Sequence, residues 1–108
     1  MRLFRNAAAS KEVVKYLAAE GDLPGAMFGT GCFAPGTRHP ARGFSQHDGG
    51  MEISFVVSGA SVFHTEKETV KLGKGDVLYN PSGTRHYVEN SGKEPCVVFW
   101  VLARESKS

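Results

Sequence analysis

The stretch 75–90 holds six residues of special geometry or chemistry in one fixed spacing: Gly75, Asp76, Pro81, Gly83, His86 and Asn90, or G-D-x4-P-x-G-x2-H-x3-N. At average residue usage, such a match arises by chance in on the order of one in a million chains of this length. Gly75 and Gly83 suit the positive φ of tight turns, and Pro81 fixes φ after a strand. Asp76 and Asn90 carry short polar side chains that bond turn backbone. The unit reads as strand, turn and strand, with His86 placed by the turn at Pro81 to Gly83.

The surrounding texture is that of an all-β chain. Runs rich in Val, Phe, Ile and Thr, separated by turn residues, predict strands over 26–34, 43–47, 52–58, 61–66, 69–72, 77–80, 86–90 and 96–102. Strands of this number and spacing imply a sandwich or barrel. Before them, Ser10 offers an N-cap, Val13, Val14, Leu17 and Ala18 recur at helical spacing, and Gly21 offers a stop. These features predict a short helix over 11–20, packed on the barrel exterior.

The 75–90 pattern resembles, without a departure, the second conserved motif of the cupin superfamily. A weaker copy of the first cupin motif, G-x5-H-x-H-x3 or 4-E-x6-G, lies in the run 43–59. Aligned on Glu52 and Gly59, it places His47 at one ligand position and Ser45 where the family usually carries its first histidine. The resemblance implies a small single-domain cupin: a double-stranded β-helix, or jelly-roll, barrel over 26–108 behind an N-terminal arm and short helix over 1–25. It also implies a metal site on His47, Glu52 and His86. Two imidazoles and one carboxylate leave open coordination positions and suit non-haem Fe(II), with Mn, Ni, Zn or Co as other occupants.

Strand parity adds a test of that set. Alternate side chains share a face, so Ser45 and His47 point one way while Phe44 and Gln46 point the other, and Glu52, Ser54 and Val56 share a face on the next strand. The Asp48-Gly49-Gly50 turn reads as a hairpin that folds His47 back towards Glu52. Ser45, Arg42 and Tyr79 are the candidates for lining the substrate pocket, Arg42 as partner of an anionic group. His39 and His64 match no motif position and read as surface or hydrogen-bonded residues.

Charge and composition exclude other classes. A net charge of +2, with basic and acidic residues interspersed, offers no nucleic-acid footprint. No segment approaches a bilayer-spanning apolar run, and the first residues lack the apolar core of a signal peptide, so a cytoplasmic location is expected. In that reducing setting Cys32 and Cys96 are expected as buried thiols. The apolar run 97–102 has an alternate face to cover, and the resemblance implies a homodimer. The expected function is a metal-dependent enzyme of dioxygenase, isomerase or lyase type acting on a small polar or aromatic metabolite. The alternative from another class is a metal-free, non-catalytic module that binds or senses a small molecule.

Overall fold

The computed structural model describes residues 1–9, 14–16, 25–46 and 48–104. Its strands are β1 (Val14–Tyr16), β2 (Ala26–Phe33), β3 (Arg38–His39), β4 (Gly50–Ser58), β5 (Ala60–Thr65), β6 (Thr69–Gly73), β7 (Val77–Asn80), β8 (His86–Glu89) and β9 (Cys96–Arg104). They form a five-stranded sheet in the order β1-β2-β9-β4-β7 and a four-stranded sheet in the order β3-β8-β5-β6. Every strand pair is antiparallel. This is the all-β, two-sheet barrel that the strand pattern and the motifs imply.

The inner faces of the two sheets supply the core. Val56 and Val98 from the five-stranded sheet meet Phe63 and Leu72 from the other, with Cys96 beside them. Burial pushes the Cys96 thiol up from its ordinary value, which keeps it protonated and inert. Both cysteines are free thiols, Cys96 buried as expected and Cys32 half-buried. The turn chemistry of 75–90 is realised: Gly75 and Gly83 take φ of +90° and +81°, and the Asp76 carboxylate accepts from Gly73 N–H at 2.7 Å. The Asn90 amide donates to Phe33 O at 2.8 Å and Glu94 O at 2.7 Å, which ties the end of β8 to β2 and to the turn before β9.

Two expectations are corrected. The helix over 11–20 is not formed at residues 14–16, which are strand β1, paired with β2 through Val14↔Thr30 and Tyr16↔Phe28. The only helical element among the described residues is a 3-10 turn at Ala7–Ala9; residues 11–13 and 17–20 lie outside those described. A β-branched valine and an aromatic tyrosine suit an edge strand, and tertiary pairing overrides local helical spacing. Tyr16 is held there by Phe4 and Phe28, with ring centroids 4.6 and 5.9 Å away.

The second correction concerns the Asp48-Gly49-Gly50 turn, which is not the bend of a hairpin. Both edges of β4 are already paired, to β7 and β9, while Ser45 bridges to His86 in the other sheet. The turn is therefore a crossover from one sheet to the other. Among the described residues, no helix is long and apolar enough to cross a membrane.

Candidate functional site

Register decides which side chains face inward. Glu52 lies between Asn80 of β7 and Leu102 of β9, and Ser54 between Leu78 and Trp100. With Val56 fully buried on the same face, Ile53 and Phe55 must point outward, and they are 41% and 42% exposed. Gly29 makes room for the Trp100 indole, since a Cβ there would sit 2.6 Å from the ring and 2.0 Å from Val14 O. Any larger residue would have to displace the β1 backbone at Val14 and the indole.

Between the sheets lies a cavity of about 330 Å³, at the lower end of the range for small-molecule sites. Ser45, Glu52 and His86 line it together, and its walls are largely apolar, including Phe63, Leu78, Val88, Val98 and Trp100. Few polar groups converge on a mostly apolar chamber, which is the usual construction of a ligand site.

His86 is the most constrained of these groups. It is 5% exposed, and its backbone exchanges two hydrogen bonds with Ser45, Ser45 N to His86 O at 2.7 Å and His86 N to Ser45 O at 2.9 Å. Phe63 stacks on the imidazole with centroids 5.1 Å apart and planes at 15°. Nδ1 lies 3.0 Å from the Thr84 carbonyl and 3.1 Å from the Asn80 amide. A carbonyl only accepts, so the ring donates there; turning the Asn80 amide to present its oxygen lets both contacts share one N–H. A proton on Nδ1 leaves the lone pair on Nε2, the tautomer required of a metal ligand or a hydrogen-bond acceptor. Glu52 accepts from the Ser54 hydroxyl at 3.5 Å.

The structure brings Ser45, Glu52 and His86 to one cavity and leaves the other pocket candidates outside it. Arg42 is exposed in the loop after β3. Tyr79 pairs with Ile53 on the outward face and is 56% exposed; of its neighbours on β7, Leu78 lines the cavity and Asn80 reaches the His86 ring. His47 lies outside the described residues, and among the described residues no group of three metal-binding side chains is assembled. Three polar lining residues, Lys15, His39 and Ser61, escape the sequence reading. Lys15 contributes a cation, and its parity becomes legible only once residues 14–16 are seen as a strand. His39, expected as a surface or hydrogen-bonded residue, is exposed and also lines the cavity beside Phe33, with ring centroids 6.1 Å apart. His64 behaves as expected: it is held between Glu89 at 2.6 Å and Thr69 at 3.1 Å, and it stacks on Tyr87.

Comparison with known proteins agrees with this architecture. A family model described as "Cupin domain" matches residues 29–102. The chain is 38% identical over 50 residues to an oxalate-binding protein of Thermotoga maritima, a match that spans 46% of this chain and 41% of that protein. Among solved structures it is similar to the Cnp3 cupin domain of Schizosaccharomyces pombe, with a TM-score of 0.75, 17% identity and coverage of 86% of this chain and 64% of that one. A predicted oxalate decarboxylase from Thermotoga maritima superposes with a TM-score of 0.67 and 20% identity, covering 90% of this chain and 96% of its own. The chain thus spans less than two thirds of the length of the first two of these proteins.

Proposed function

This chain belongs to the cupin family, and from that premise we propose that it is a metal-dependent enzyme acting on a small metabolite with a chelating or anionic group and a largely apolar body. The observation that carries the reading is the convergence of Glu52 and His86 on one cavity, with Nδ1 of His86 already committed to the Thr84 carbonyl. A carboxylate and a lone-pair imidazole nitrogen are a fitting donor pair for a divalent transition metal, and His47 is the third ligand by its motif position. Fe(II) is the first expectation, with Mn, Ni, Zn or Co as alternatives. When bound, such an ion supplies Lewis-acid polarisation of a chelating group or, as Fe(II), dioxygen chemistry.

The chain's own residues supply the rest. Lys15, exposed at the edge of the cavity, attracts an anionic group towards it, and the apolar walls exclude water from the interior, which strengthens each polar contact there. Ser45 offers a hydroxyl where the family pattern has an imidazole. Because its backbone is fixed by two hydrogen bonds to His86, its side chain is free to vary without moving the ligand. A short hydrogen-bonding group there also favours a second reading, a metal-free module that binds the same class of molecule without turnover.

Similarity to an oxalate-binding protein over part of the chain is consistent with recognition of a carboxylate by this site. We further infer a homodimer through the outer face of β9, β4 and β7, where Phe99, Phe55, Ile53, Val77 and Tyr79 are all exposed.

Thermal unfolding with added Mn(II) tests the metal reading. At a thousandfold excess over Kd, binding to the folded state alone adds about 4 kcal/mol, which for a domain of this size raises Tm by roughly 15 °C or more. No shift with any of the five metals named would overturn this reading and leave the metal-free module.

A further inference from the structure

Ser61 is a polar residue in an apolar place. It is 4% exposed, its Oγ has no nitrogen or oxygen hydrogen-bond partner, and it lines the same cavity as Glu52 and His86. Its neighbours are the core residues Leu72, opposite it on β6, and Cys96, whose thiol it helps to hold down. A thiol is a weak partner for a hydroxyl, so that contact does not satisfy it. A buried hydroxyl with nothing to bond destabilises the protein, and the cost is offset only if something else supplies the bond.

The register fixes how far this group lies from the metal end. On β5, Thr65 is opposite His86 and Phe63 opposite Val88, and Ser61, Phe63 and Thr65 share one face. Ser61 is thus four residues down the strand from the level of His86, about 13 Å at roughly 3.3 Å per residue. Between the two levels the walls carry the apolar Phe63, Leu78, Val88 and Trp100, with Ser54 between Leu78 and Trp100, His39 opposite Val88 and the exposed Lys15 beyond Gly29. The chamber therefore has a polar cluster at one end, a largely apolar middle edged by Ser54, His39 and Lys15, and an unmatched hydroxyl at the other end.

We propose that the ligand of this cavity is an elongated molecule polar at both ends, with an acidic or chelating group at Glu52 and His86, an aromatic-sized apolar body, and a hydroxyl, carbonyl or ether group held by Ser61 at the far end. This rests on the reading of the cavity as a ligand site and is independent of the metal. A compact dicarboxylate of a few atoms would leave the apolar middle and Ser61 unfilled.

Calorimetric titration of the full chain with 3-(4-hydroxyphenyl)propionate and with 3-phenylpropionate, each with and without Mn(II), tests this. The wild type is expected to prefer the hydroxylated probe by about tenfold, as one hydrogen bond to an otherwise unmet group predicts. Ser61→Ala should erase the preference while keeping its affinity for 3-phenylpropionate. In the ligand-free state, Ser61→Ala should unfold at a temperature equal to or above that of the wild type, because it removes an unmet hydroxyl. Equal affinity of the wild type for both probes, a preference that survives in Ser61→Ala, or a lowered Tm of the ligand-free variant would each overturn the assignment. A preference that persists without Mn(II) sustains the role of Ser61 even where metal binding fails. Absence of binding by both probes under both conditions overturns the cavity reading and this inference together.

Discussion

The two motif segments deliver their side chains to the cavity by different means. Residues 75–90 form one compact unit in which the turn, His86 and Asn90 brace one another: the ring is held by Thr84, Asn80 and Phe63, and Asn90 fastens the end of β8. Residues 43–59 instead cross between sheets, with Ser45 paired to β8 and Glu52 between β7 and β9. In the first segment the side chains themselves hold the backbone in place, so a change of residue disturbs the geometry. In the second, backbone hydrogen bonds hold Ser45, so its side chain departs from the family pattern at little structural cost. Rigidity of a site and identity of its ligands are thus set by different parts of the chain.

Substitutions sharpen this contrast, the largest effect first. His86→Ala should remove the Mn(II)-induced rise in Tm altogether, and Glu52→Gln should weaken Mn(II) binding by about a hundredfold, since the amide has lost the charge and most of the ligand strength of the carboxylate. If both variants kept wild-type affinity by calorimetry, the two segments would not share a metal. Asn80→Ala leaves every ligand in place but loosens the His86 ring; a fall in affinity of roughly tenfold is expected for a residue that orients a ligand. An unchanged affinity would show that Thr84 and Phe63 orient the ring without help.

Smallest in size, and opposite in sign, is the effect of Ser45→His. With the backbone at 45 already fixed to that at 86, a third imidazole, as a fourth ligand, should raise metal affinity several-fold and, by filling a position meant for substrate, lower turnover. A variant that bound metal more tightly and also turned over faster would contradict the three-ligand centre.

Most of this architecture was legible in the sequence where side-chain chemistry and backbone geometry coincide. Gly75, Pro81 and Gly83 dictate the turn that sets His86, and alternation along β4 places Glu52, Ser54 and Val56 on the inner face. Parity failed only where its starting point was missing. Tyr79 was a pocket candidate for want of the register that pairs it with outward Ile53 and turns Asn80 inward. Lys15 was hidden because Val13, Val14, Leu17 and Ala18 have helical spacing, whereas β1 exists through its pairing with β2, a long-range contact that no local pattern carries. His39 comes from a two-residue strand, too short for any periodicity to show. The crossover at Asp48 to Gly50 has the composition of a hairpin turn, and only the occupancy of both edges of β4 reveals its course.

The account depends on Glu52 and His86 acting as ligands of one ion, and elemental analysis of protein purified without a polyhistidine tag addresses this most directly. The wild type should carry about one transition-metal ion per chain, as a single donor set of this kind holds one ion, and His86→Ala, purified in parallel and shown to be folded, should carry none. A wild type without metal after growth in metal-replete medium, or an equal metal content in the two proteins, would contradict it.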